Sequence, residues 1–387
     1  MTGKLLKKMI SGIVIFSFLS HFYNLTLYAM EAPEVSAESS VLICAENSHI
    51  VFEKNAFVKR PMASTTKIMT ALLTLEAASA DDKDVTITDK MVPVEGSSMY
   101  LKVGNVLPLS GLAKGMLTVS GNDAANSAAI AVAGSTELFA DMMNDKAAQI
   151  GMKDTHFVTP SGLDDDDHYS TAYDMALLGA YAMENESFYN IASSKKSEVF
   201  FRDTNENRCY YNENRMLKRY SGCLGIKTGF TKKSGRCLVT CAQRDKLRLI
   251  AVTLNAGDDW NDHEKLLDYG FAKMQALDLE ENEDIKVPVT GGDCDSLSLT
   301  VKKPLRVVIE RFQKDSITKA VSVPQFVYGP VQEGQVVGKI EYSLNGKVIG
   351  TNELVAKNSV SAVSKKENIV KRFFKFLKNG FKNNMKD

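Results

Sequence analysis

Apolar positions in the first half of the chain alternate between two spacings. Val41–Cys44 and His49–Phe52 read as short strands joined by a polar turn at Glu46–Ser48. Lys67–Leu75 is apolar at helical spacing, Leu112–Val132 is a second, Ala-rich helix, and Gly134–Ile150 keeps the helical period through Leu138, Met142 and Ala147. Strand signals return at Gly222–Thr228, Arg236–Ala242 and Leu247–Leu254, and His263–Met274 reads as a closing helix. Two strands early, helices between and three strands late predict an α+β domain whose sheet is built from both ends of the segment, with a helical lobe.

Beyond about residue 283 the pattern changes to short alternating runs, at Leu297–Val301, Leu305–Ile309 and Ile340–Leu344. Asn345–Gly346, between Ile340–Leu344 and Val348–Ile349, is a strong two-residue hairpin signal. This predicts a small all-β sandwich with no clustered titratable groups. Val370, Phe373, Phe374, Leu377 and Phe381 then fall on one helical stripe, with Lys and Arg at most other positions. An aromatic stripe beside a cationic face suits a helix lying in an anionic membrane surface.

At the other end, Lys4, Lys7 and Lys8 precede an apolar run from Met9 to Leu19 with small Ala29 after it, the pattern of a secretory signal. Cleavage falls after Ala29, with Ala32 a second choice, and the run is short for a spanning helix. The predicted division is residues 1–29 signal, 30–278 catalytic domain, 279–360 β domain and 361–387 amphipathic helix.

Composition adds one point. Lys+Arg and Asp+Glu are equal at 47 each over 387 residues, so there is no charge excess to attract nucleic acid. Both ends are basic, which leaves residues 30–363 acidic. Six cysteines thinly spread over a long chain (Cys44, Cys209, Cys223, Cys237, Cys241 and Cys294) are expected to be free, buried and small-hydrophobic in role. Without a CxxC pair and with five His, zinc is not expected, and Asp164–Asp167 reads as solvated surface rather than a calcium loop. His156 and His168 read as structural, and Asp174 as a cap or brace of a helix.

Three motifs carry the candidate chemistry. Ser64-Thr65-Thr66-Lys67 opens the first helix, which places Ser64 and Lys67 on one face, with Ser64 at the positive helix end. A lysine accepts a serine proton only when burial and nearby cations lower its pKa. Ser120-Gly121-Asn122 offers a hydroxyl and an amide from a tight turn. Lys227-Thr228-Gly229 ends a strand, where Lys and Thr can hold a carboxylate and Gly admits a substrate backbone.

Each motif is weak alone. In this order and spacing they resemble the penicillin-recognising serine acyl-transferases. Ala63–Leu73, Ser120–Ala124, Phe157–Leu163, His168–Ala176 and Gly225–Thr231 narrow the resemblance to the low-molecular-mass penicillin-binding proteins that are D-alanyl-D-alanine carboxypeptidases, across most of residues 36–275. The resemblance implies a β-lactamase/transpeptidase-like catalytic fold. It makes Ser64 the acylated nucleophile, Lys67 its base and Ser120 a proton relay. Asn122 would orient the substrate amide, and Lys227, Thr228 and Gly229 would receive the terminal carboxylate and backbone. Arg248 would add charge, and the oxyanion would sit between the N–H groups of Ser64 and Phe230. The implied substrates are peptidoglycan stem peptides ending in D-Ala-D-Ala, with β-lactams as covalent inhibitors, no cofactor and no metal. The implied place is the outer face of a bacterial cytoplasmic membrane.

The sequence departs from that family at Ser193–Arg219, where Glu213 stands in place of a basic residue of some relatives, so no substrate contact is assigned there. Cys223 and Cys241 are also unusual and receive no role. Endopeptidase or transpeptidase activity, which differs only in the acyl donor or acceptor, stays open, as do two further alternatives. A β-lactamase of the same fold would need an element such as Glu-x-x-Leu-Asn, which is absent between 123 and 226. A scaffold without catalysis would have no reason to keep Ser64, Lys67, Ser120 and Lys227.

Overall fold

The computed structural model describes residues 31–279 and 284–362. The signal segment and the cationic stripe after residue 364 lie outside these residues. Among the described residues no helix is long and apolar enough to cross a membrane.

The compact unit beginning at Val35 is organised around a five-stranded antiparallel sheet. Its strands run in the order Ile50–Lys54, Ser39–Cys44, Leu247–Ala256, Gly235–Arg244 and Cys223–Thr231. The N-terminal hairpin pairs with the last of the three late strands, Val41 opposite Val252 and Ile43 opposite Ile250. Early and late chain therefore meet in one sheet, as the alternation predicts.

Period-2 alternation gives the sheet two apolar faces. Val41, Ile43, Val252 and Ile250 face the helical lobe and pack with Ile68, Leu72, Met116 and Ala128. Leu42, Cys44, Leu249 and Ala251 face the closing helix Asp259–Lys273 through Leu266, Leu267 and Phe271. Gly270 lets that helix approach, because a Cβ there would stand 2.6 Å from Leu42 Cδ2 and 2.7 Å from Leu249 Cδ1.

One correction bears on the site. The Ala-rich helix is two helices, Leu109–Val119 and Asn122–Ala133. Ser120, at φ 59°, takes the left-handed conformation that ends the first, and Gly121 starts the second. Apolar periodicity runs across the break, so the period alone reads as continuous. The hairpin Lys196–Phe201 with Glu206–Tyr211 was also not foreseen, because its exposed strand carries polar residues at both phases.

Past Met274–Leu279, which pairs with Leu305–Glu310, lies a six-stranded sheet with its own core of Val287, Leu299, Ile340 and Leu354. Asn345 and Gly346, at φ 51° and 78°, make the predicted tight hairpin between Val336–Leu344 and Lys347–Ala356.

All six cysteines are free. Cys44, Cys237 and Cys241 are buried and Cys223 half-buried, and burial pushes the Cys44 thiol up to about 12 and those of Cys223 and Cys237 up to about 11. Cys209 and Cys294 are exposed, against expectation, since each lies on a strand or turn facing solvent.

Candidate active site

Ala63–Thr66 forms one turn of 3-10 helix that runs into the α-helix Lys67–Ala80. In the tighter helix, positions three apart eclipse. Lys67 Nζ accordingly lies 2.9 Å from Ser64 Oγ, and it donates to the Ser161 carbonyl at 2.6 Å. The Lys67 side chain is fully buried. Desolvation, and next the charge of Lys227, hold its pKa well below the ordinary lysine value, while Asp123 and Glu213 pull the other way. Burial brings Lys227 down to about 8, opposed by Glu213.

Two loops hold the nucleophile turn. Gly162, at φ 80°, lies so close that a Cβ would fall 2.0 Å from the Ala63 carbonyl oxygen. Thr66 Oγ1 donates to that same carbonyl at 2.8 Å and meets His168 Nε2 at 2.8 Å. From the other side comes Cys223–Thr231, where a Cβ on Gly229 would stand 3.0 Å from both Ser64 N and Thr65 N. The glycine of the Lys-Thr-Gly motif thus lets an edge strand run directly beside the serine.

The cleft over this junction holds about 480 Å³. Ser64, Ser120, Thr228, Gly229 and Phe230 line it, and Ser97, Glu213, Arg215, Arg236, Asp259 and Trp260 complete its walls. Lys67 and Lys227 are buried behind lining residues, Lys67 against Ser64 and Lys227 next to Thr228, whose carbonyl accepts from Lys227 Nζ at 2.9 Å. Asn122 is buried in the first turn of its helix; its Nδ2 donates to the Glu95 carbonyl at 2.5 Å, and its Oδ1 has no partner. A buried amide oxygen without a donor is an exception among buried polar groups.

Arg248 is the correction among the named residues. It lies at the far end of its strand, opposite Gln243, and pairs with Glu184 at 2.7 Å beside a separate cavity. Thr228 is level with Leu238 and Thr253, so Arg248 is five residues further along, roughly 16 Å at the rise of a strand. The sequence locates the strand but not which end reaches the cleft. Arg236, opposite Phe230 and 3.5 Å from Asp259, and Arg215 are the arginines present there.

Sequence reasoning also missed Asp123 and Trp260. Buried Asp123 accepts the N–H of Met99 at 2.8 Å, of Leu101 at 2.9 Å and of Ala124 at 2.9 Å, together with the Ser98 hydroxyl at 2.7 Å. It suspends the loop that carries Ser97. An acid in the first turn of a helix was the only signal available. Asp174 braces its helix from beneath, accepting from Asp154 N at 2.8 Å and Thr155 Oγ1 at 2.7 Å. Asp164 and Asp166 are exposed but tie down the far end of the edge strand, through Thr231 at 2.8 Å and Lys233 at 2.5 Å. Among the described residues no cluster of His, Cys, Asp and Glu suited to a metal is found.

A serine beside a desolvated amine, with a second serine and an edge strand across the cleft, is the layout of a serine acyl-transfer centre. Comparison with known proteins makes the assignment specific. The family model described as D-alanyl-D-alanine carboxypeptidase matches residues 26–258, and that of the penicillin-binding protein 5 C-terminal domain matches 279–362. The chain is 35% identical to the D-alanyl-D-alanine carboxypeptidase DacA of Escherichia coli, covering 84% of this chain and 83% of the relative. It is 31% identical to DacF of Bacillus subtilis, covering 84% and 86%. Penicillin-binding protein 5 of Haemophilus influenzae superposes with a TM-score of 0.67 at 29% identity, over 86% of this chain and 100% of that one. The chain belongs to the D-alanyl-D-alanine carboxypeptidase family.

Proposed function

We propose that this chain removes the terminal D-alanine from peptidoglycan stem peptides through an acyl-enzyme on Ser64, outside the bacterial cytoplasmic membrane. The observation that carries the reading is the buried Lys67 amine, 2.9 Å from Ser64 Oγ and depressed in pKa. A neutral amine at that distance accepts the Oγ proton as the oxygen attacks the carbonyl of the penultimate residue.

The developing oxyanion lies between the N–H groups of Ser64 and Phe230, brought together by the missing Cβ of Gly229. Such donors contribute several kcal/mol. The C–N bond then breaks, and the leaving amine takes its proton from Lys67 by way of Ser120. Water attacks the ester, with the same amine as base, and releases the shortened peptide. Asn122 Oδ1 accepts a substrate N–H. Lys227 and Thr228 hold the terminal carboxylate, and Arg236 supplies the charge first sought at Arg248.

The proposed division is 30–278 for catalysis, 279–360 for the β domain and 361–387 for attachment, with 1–29 removed on export. The aromatic and cationic positions of 364–387 support peripheral attachment to anionic lipid. Replacing Phe373, Phe374 and Leu377 with Ser should release the protein from anionic vesicles; full co-sedimentation of that variant would remove the tail from the account.

Intact-mass spectrometry with benzylpenicillin, beside Ser64→Ala, tests the centre. One lasting adduct, absent in the variant, is expected, followed by D-alanine release from a pentapeptide by the native enzyme. Penicillin consumed without a lasting adduct would mean a β-lactamase, and penicillin untouched would mean a non-catalytic binder.

A further inference from the structure

The described residues end beside an aromatic and acidic surface of the β domain. Ala362 bridges to Gly292, and Asp293 exchanges two hydrogen bonds with Ser361, at 3.0 and 3.1 Å. Gly292 lies against Gly329, where a Cβ would stand 2.9 Å from the Gly292 Cα, so Tyr328 is close to the point at which the chain leaves. Phe326 and Tyr328 meet edge to face at 5.2 Å, yet they are 44% and 70% exposed. Exposed Val323 extends the patch toward the edge strand Ile317–Ser322. An aromatic pair left largely in water is apolar surface that a partner can bury. Residues 287–298, 320–338 and 358–362 also contain Asp293, Asp295 and Glu333, all exposed, and no Lys, Arg or His.

The sequence beyond this point has the complementary character. Residues 364–387, outside the described residues, hold eight Lys and Arg against two acids, with the apolar stripe of Val370, Phe373, Phe374, Leu377 and Phe381. The eight residues from Ala362 to Val370 span up to about 28 Å, enough to bring that stripe back over Phe326 and Tyr328. An acidic surface repels an anionic bilayer, so this patch suits the cationic segment better than it suits lipid.

We infer that in the lipid-free protein residues 364–387 fold back on the β domain, with the aromatic stripe over Phe326 and Tyr328 and the cationic side chains toward Asp293, Asp295 and Glu333. The same stripe is the one proposed above to enter an anionic membrane, so self-docking and attachment to lipid exclude each other. Apparent affinity for lipid then falls with the fraction of molecules that are open. A docked form about tenfold more populated than the open one lowers it about tenfold. Attraction between exposed charges weakens with salt, so the docked fraction drops as ionic strength rises.

Hydrogen-exchange mass spectrometry on the full-length, lipid-free protein tests the docking. Exchange in residues 364–387 should be slowed about tenfold, and Phe326→Ser with Tyr328→Ser should remove that protection. Asp295→Asn with Glu333→Gln should remove part of it. From the other side, Phe373→Ser with Phe374→Ser alters no described residue and should speed exchange in residues 325–329. The strand Lys347–Ala356 reports in the same data that the β domain stays folded. In a second arm, the Phe326 and Tyr328 double variant should bind phosphatidylglycerol vesicles about tenfold more tightly than the native chain. That arm rests on the proposed attachment; if no form binds vesicles, the attachment falls while the exchange data still decide the docking. Three results would each overturn the inference. One is tail exchange indifferent to both pairs of β-domain substitutions. Another is weaker vesicle binding by the double variant, which would make the patch a lipid contact. The third is protection that grows with protein concentration, which would make the occupant a second copy.

Discussion

His168 Nε2 meets Thr66 Oγ1 at 2.8 Å while Nδ1 of the same ring accepts the Val158 N–H at 2.9 Å. With Nδ1 an acceptor, the ring proton sits on Nε2 and donates to Thr66, whose hydroxyl donates to Ala63. This neutral relay braces the turn that carries Ser64. Burial pushes the His168 pKa down to about 4. The unfolded chain thus binds a proton that the folded one refuses, and stability falls as pH drops from about 6.5 to 4. His168→Gln should reduce that loss by on the order of 3 kcal/mol, read as denaturant unfolding at both pH values. His263, buried with a pKa of about 3, leaves part of the acid sensitivity in place. An unchanged difference between the two pH values would refute the relay.

The proposed mechanism asks opposite protonation states of two buried lysines. In it Lys67 is neutral to accept from Ser64, and Lys227 charged to hold a carboxylate. Acylation by benzylpenicillin should therefore fall on the acid side as Lys67 takes a proton, and on the alkaline side near pH 8 as Lys227 loses one. In Lys227→Arg the guanidinium does not titrate in this range, so the alkaline fall should move upward by more than a pH unit. Stopped-flow acylation across pH 5–10 reads this directly, and an alkaline limb that stays put would assign it to another group.

Gly229→Ala would place a methyl group 3.0 Å from two backbone nitrogens of the serine turn. Neither partner is a side chain able to rotate away. Acylation should slow by at least about tenfold, since small misplacements at a reacting centre are costly. Near-native acylation would show that the strand can shift without harm to the oxyanion site.

Asp123→Asn keeps the size of the side chain but turns one acceptor into a donor. Four donors now converge on the carboxylate, from Ser98, Met99, Leu101 and Ala124. The expected loss is about 2–4 kcal/mol of stability, with weaker peptide binding because Ser97 on the suspended loop lines the cleft. Thermal unfolding and KM measured together check both parts, and an unaltered KM would separate the loop from substrate binding.

Local signals marked most of these residues in advance. Ser64, Lys67, Ser120, Asn122 and Lys227 were legible because each sits in a short motif whose spacing suits a helix start, a turn or a strand end. Arg248 was misplaced because strand residues look alike in sequence, while distance to the cleft depends on register across three strands. Asp123 went unassigned because three of its four donors are more than twenty residues away, which local pattern does not count. The Ala-rich helix was read through its break because an apolar period does not register one residue in the left-handed conformation.

By itself the sequence determined the class of each half, the joining of early and late strands in one sheet, and the motif residues, since these follow from periodicity and adjacent chemistry. Tertiary structure alone decided which groups share the cleft. It buried Lys67 beside Lys227, paired Arg236 with Asp259, and sent Arg248 to the far end of its strand. Burial and charge proximity arise from segments that are distant in the chain, and they set both the lysine pKa values and the rim a substrate meets.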